Sequence, residues 1–135
     1  MVVLDDELIS DLQLSPLLVE QVTRHEQAEL ARQDREYRAN RSRPDLAGHT
    51  VVVVDDGVAT GATMEAAVVA LRRWQAREIV LAVPVGAPEA CERLRRLADA
   101  VVCASTPADL RVIGRWYDDF APTTDVEVKQ LLMRQ

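Results

Sequence analysis

The stretch VVVVDDGVATGAT, Val51 to Thr63, decides how this chain is read. Four valines run into two adjacent aspartates, Asp55 and Asp56, and a loop of small residues follows with Gly57, Thr60, Gly61 and Thr63. A continuous run of β-branched residues fits a strand of a parallel sheet covered on both faces. In such sheets ligands bind beyond the carboxyl ends of the strands, where this acidic pair falls. Small residues let the backbone approach a ligand closely. The helix expected after the loop offers unpaired N–H groups and a partial positive charge, which suit a phosphate. Thr60 and Thr63 add hydroxyl donors, while the carboxylates accept only and suit vicinal hydroxyls. A ligand with a ribose diol at one end and a 5′-phosphate at the other satisfies both halves.

Rival motifs fit less well. A dinucleotide fingerprint needs GxGxxG and a Walker loop needs GxxxxGK[ST]; here the glycines are four apart and no lysine follows. Fifteen of the sixteen basic residues are arginine, and Lys129 stands alone near the end. A receiver domain also ends its first strand on an acidic pair, but needs a phosphoacceptor aspartate and a lysine after later strands. The segments LAVPVG and VVCASTPADLR supply neither. An apolar strand followed by an ordinary polar turn is the remaining alternative, and it leaves the joint presence of two acids, two glycines and two threonines to accident.

Outward from this stretch the pattern is regular. TMEAAVVALRRWQA places Met64, Val68 and Leu71 at helical spacing, EIVLAVPV is an apolar strand, PEACERLRRLAD is a helix, and AVVCAS is a third strand. Strands alternating with helices read as βαβ units. Upstream, VVL at 2–4 reads as a short strand. A helix begins at Ser15 and Pro16, a capping residue followed by proline at the first helical position. From Arg24 to Arg43 it carries six arginines. DVEVKQLLMRQ reads as a closing helix, with Trp116, Tyr117 and Phe120 gathered before it.

At 135 residues and 48% hydrophobic, the chain is the size of one domain, 1–135, with residues 15–43 as an arginine-rich helical flap or hood within it. A net charge of −6 argues against a nucleic-acid partner. Cys91 and Cys103 form no CxxC pair and read as small core residues of a reducing compartment. The start carries no basic, apolar leader and no segment approaches the length of a membrane span. These features lead us to expect a cytoplasmic chain with no membrane partner.

The stretch VVVVDDGVATGATM resembles the PRPP-binding motif of type I phosphoribosyltransferases: four apolar residues, two acids, then a loop ending T-G-x-T. Gly57 departs from it, since an apolar residue is more usual there. The resemblance implies an α/β, Rossmann-like fold with a parallel sheet flanked by helices. It implies that Asp55 and Asp56 bind the ribose hydroxyls of PRPP, and that Ala59, Thr60, Gly61, Ala62 and Thr63 cradle the 5′-phosphate. It implies Mg2+, bound mainly through PRPP, and a nitrogen acceptor attacking C1′ as pyrophosphate leaves. The 6-oxopurine enzymes of the family carry an aspartate where this chain has Ala59, so a base acting on purine N7 is missing.

The family also needs a pyrophosphate loop after an early strand. No glycine precedes Gly48, and MVVLDDELIS offers an acidic turn in its place. The expectation is therefore a chain incomplete at its N-terminus, with an unpaired sheet flank that favours a homo-oligomer. The function expected is phosphoribosyl transfer, with a non-catalytic PRPP sensor or an inactive fragment as alternatives. Arg35, Arg38, Arg41 and Tyr37 could reach pyrophosphate from the flap, or could belong to a solvated helix paired with Glu26, Glu29 and Glu36. The three aromatics could stack on an acceptor or simply pack the C-terminal segment.

Overall fold

The computed structural model describes residues 2, 4, 6–38, 42 and 44–133. In chain order the elements are α1 (Asp6–Asp11), α2 (Pro16–Arg38), β1 (Thr50–Val54), α3 (Ala62–Arg73), β2 (Glu78–Val85), α4 (Pro88–Leu94), β3 (Ala100–Ser105), a 3-10 turn (Ile113–Trp116) and α5 (Asp125–Leu132). They form two compact units: Met1–Leu4 with Asp45–Phe120, and Asp5–Pro44 with Ala121–Gln135.

The first unit is an α/β layer. Its three strands are parallel, in the order β1-β2-β3, with Val51 opposite Ile79 and Val80 opposite Ala100. Alternate residues of β2, Ile79, Leu81, Val83 and Val85, are buried. Ile79, Leu81 and Val83 pack with Met64, Val68 and Leu71 of α3 and with Ala90 and Leu94 of α4. Asp99 ties the layer at its lower edge. Its carboxylate accepts from Ile79 N–H at 2.7 Å and pairs with Arg72 at 2.9 Å. Those two bonds, Arg72's first, hold its carboxyl below the usual range.

Within this unit both helices, α3 and α4, pack on the one face that holds the core. Val52, Val54 and Val102, on the face opposite the core, are 58%, 73% and 58% exposed. The reason is topological: crossovers of the usual right hand, stepping in the same direction from β1 to β2 to β3, put both helices of the unit on one face. The strand read at 2–4 is also not seen. Val2 and Leu4 are in no strand, and Val3 lies outside the described residues.

The second unit pairs α2 with α5. Ser15 Oγ accepts from Leu18 N–H at 3.2 Å, capping α2. Thr124 and Glu127 form a reciprocal capping box at the start of α5. Arg32 joins the helices by donating to Glu29, Glu36 and Asp125, with Lys129 on Glu36 at 2.7 Å. Tyr37 donates to Asp125, which draws that carboxyl below its usual range, and the same bond raises the phenol. Arg38 pairs with Asp34 within α2. Arg41 and Arg43 lie outside the described residues.

Candidate functional site

β1 ends at Val54, and the Asp55 N–H still reaches the Ala82 carbonyl at 3.4 Å, so the acidic pair sits where the ladder ends. The chain then turns back to the sheet. Val58 is buried and bridges Gly86 in parallel, with Val58 N–H on Val85 O at 2.9 Å and Ala87 N–H on Val58 O at 2.8 Å. This clamp divides the stretch into an acidic turn, 55–57, and a small-residue loop, 59–63.

Gly57 is explained by crowding. A Cβ there would lie 2.8 Å from the Ile113 side chain and 3.0 Å from the Val85 carbonyl. The side chain more usual at this place in the motif is excluded by the 3-10 turn above it. Gly61 has φ +85° and stands immediately before α3, with no side-chain cap on the helix. Only a left-handed conformation lets the loop enter α3 here, and glycine adopts it without strain. The first amides of α3 therefore lack intrahelical acceptors. Ala62 N–H makes a long 3.4 Å contact with Thr60 Oγ1. The guanidinium of Arg93, from α4, donates to the Thr60 carbonyl.

Asp55, Asp56, Ala59, Thr60, Gly61 and Thr63 line one cavity of 210 Å3, with Ile113 and Met64 in its wall. Of the residues expected from sequence, only Ala62 is outside the lining; it occupies the first helical position of α3. Asp55 Oδ1 accepts from Asp56 N–H at 3.0 Å, which orients its carboxylate. The Asp56 carboxylate takes no hydrogen bond among the described residues.

Sequence reading missed two participants, Ile113 and Arg93, and the bond that a third, Tyr117, makes. Ile113 closes the wall, Arg93 grips the loop, and Tyr117 donates from its hydroxyl to the Asp56 carbonyl at 2.6 Å. Tyr117 also packs on Phe120, with ring centroids 5.1 Å apart. It therefore anchors the stretch 117–120 to the acidic turn, while Trp116 stays half exposed beside a separate hollow of 340 Å3 that Arg111 and Arg115 also line. Beneath the loop, Cys91 and Cys103 are both free thiols. Burial, then a hydrogen bond with Cys103, pushes the Cys91 thiol up to about 11, so it is inert packing at neutral pH.

Residues 2–116 match the family described as phosphoribosyl transferase domain. Over 132 residues the chain is 39% identical to "Putative phosphoribosyl transferase Rv0571c" of Mycobacterium tuberculosis H37Rv, and equally to its counterpart in strain CDC 1551. The match takes in 98% of this chain and 30% of each relative. The crystal structure of TT1426 from Thermus thermophilus superposes with a TM-score of 0.76 at 39% identity, over 91% of this chain and 59% of that one. The chain thus spans about a third of the curated relatives it matches. No described helix is long and apolar enough to cross a membrane. With its parallel α/β layer and a family match over most of its length, this chain belongs to the phosphoribosyl transferase domain family.

Proposed function

We propose that the Asp55–Thr63 cavity binds the ribose 5-phosphate half of PRPP, and that the domain serves transfer of the phosphoribosyl group to a nitrogen acceptor. One observation carries this: two carboxylates and an uncapped helix start open into the same small cavity. The carboxylates accept from a sugar diol, and the amides before α3 donate to a phosphate dianion. Holding the sugar at both ends fixes C1′ for in-line attack. Positioning of this kind supplies much of the rate when the transition state is a diffuse oxocarbenium ion.

The hard oxygens of Asp55 and Asp56 suit Mg2+, which usually keeps one or two carboxylates beside its substrate oxygens. Both carboxylates line the cavity, so Mg2+ carried mainly on PRPP fits this wall. When bound, the ion would neutralise charge building on the departing pyrophosphate.

A second reading, a sensor that binds PRPP without turning it over, is favoured by one observation: Arg32 and Arg38, from the arginine-rich segment, are engaged in ion pairs within their own unit. Pyrophosphate release from PRPP and Mg2+, assayed over a panel of nitrogen bases, tests the first reading. Saturable ribose 5-phosphate binding with no release under any base would favour the sensor, and the absence of both would remove the proposal.

A further inference from the structure

Arg93 lies on the exposed side of α4, yet its guanidinium turns onto the loop. Its Nη2 donates to the Thr60 carbonyl and lies 3.6 Å from where a Cβ on Gly61 would stand. Leu94 and Ala90, from the same stretch of α4, come within 3.6 and 3.7 Å of that point, so α4 forms a floor beneath Gly61. Its neighbour Arg95 instead pairs with Glu92 on its own helix at 3.3 Å.

The carbonyl that Arg93 grips belongs to the same peptide unit as the Gly61 N–H. In a trans peptide the two point in opposite directions, and the described chain has no cis bond. A Thr60 carbonyl held toward α4 therefore aims the Gly61 N–H away from α4. Glycine's permissive φ would otherwise leave this peptide plane weakly determined. We propose that Arg93 is the positioning residue of the loop: its hydrogen bond to Thr60 fixes the Thr60–Gly61 peptide so that the Gly61 N–H faces the Asp55–Thr63 cavity and meets the phosphate. This rests on the reading of that cavity as a phosphate site.

The test titrates ribose 5-phosphate into the wild-type chain, Arg93→Met and Arg93→Gln. Calorimetry gives the affinity, and the 15N-resolved amide resonance of Gly61 reports the contact itself. Arg93→Met should bind about tenfold more weakly or worse, the scale of one charge-assisted hydrogen bond. Its Gly61 resonance should no longer respond to ligand, while its melting temperature stays near wild type because the side chain is exposed. Arg93→Gln keeps an N–H donor and should recover part of the affinity. Equal affinity of Arg93→Met and wild type, or an equal Gly61 response, overturns this inference and leaves the cavity reading standing. Affinity that falls only in step with melting temperature, with no recovery in Arg93→Gln, also overturns it. Absence of binding by the wild-type chain overturns the cavity reading, and this inference with it.

Discussion

Gly86 offers a strict test of how the loop is supported. A methyl group added there would stand 2.5 Å from Cys91 Sγ, 3.2 Å from Cys103 Sγ and 3.5 Å from Val58 Cβ. Its backbone needs no left-handed conformation, so Gly86→Ala is a purely steric perturbation. To restore ordinary contact, Cys91 would have to withdraw by about 1 Å. Cys91 is fully buried on α4, so the helix must move with it. Overpacking of this kind costs about 1–3 kcal/mol, against a gain of about 0.4–1 kcal/mol from stiffening the unfolded chain. The middle of the two ranges gives an expected net loss of about 1.3 kcal/mol. Both tryptophans, Trp74 and Trp116, lie in the unit that holds the sheet, so urea unfolding followed by tryptophan fluorescence reads this unit. Cys91→Ala removes the clashing sulfur, and the double variant should be more stable than the sum of the single losses by about 1 kcal/mol. A Gly86→Ala loss below about 0.5 kcal/mol, or strict additivity in the double variant, would refute the packing argument.

Other consequences are checked more simply. Asp55→Asn with Asp56→Asn should weaken ribose 5-phosphate binding at least about tenfold in calorimetry, because amides replace charged acceptors; unchanged affinity with intact circular dichroism removes the acidic pair from the site. Tyr117→Phe deletes the bond to the Asp56 carbonyl and should cost about 1 kcal/mol in urea unfolding, a cost that should vanish if that bond is incidental. Asp99 has a depressed folded pKa, so its contribution is present above the ordinary carboxylate value of about 3.9 and is lost as pH falls through the lower folded value. Asp99→Asn should therefore lower the melting temperature at pH 7 and flatten its fall as the pH drops below about 4; parallel pH profiles for the two proteins would contradict this.

Much of the fold could be read from local pattern. EIVLAVPV and AVVCAS are β2 and β3 at the bounds expected, since uninterrupted apolar runs between polar flanks leave little freedom. α4 is shorter than PEACERLRRLAD suggested. It ends at Leu94, and the chain closes in tight turns with Leu97 and Ala98 N–H on the Leu94 carbonyl, delivering Asp99 to Ile79. The exposed valines of the far sheet face were not legible, because crossover direction is a property of strand order, which periodicity does not encode. The acidic pair and the small-residue loop were legible because their chemistry is contiguous in sequence. Arg93, Ile113 and the bond from Tyr117 were not, because each meets the loop or the acidic turn across 33 to 61 residues of chain. Gly57 looked like a departure from a motif and is a fit to Ile113 instead.

The most direct test of the central claim is a crystal structure of this chain with ribose 5-phosphate. The account predicts the phosphate at the amides of Thr60–Thr63 and the diol on the Asp55 and Asp56 carboxylates. A ligand seated elsewhere, or a cavity left empty under saturating ribose 5-phosphate, would contradict it.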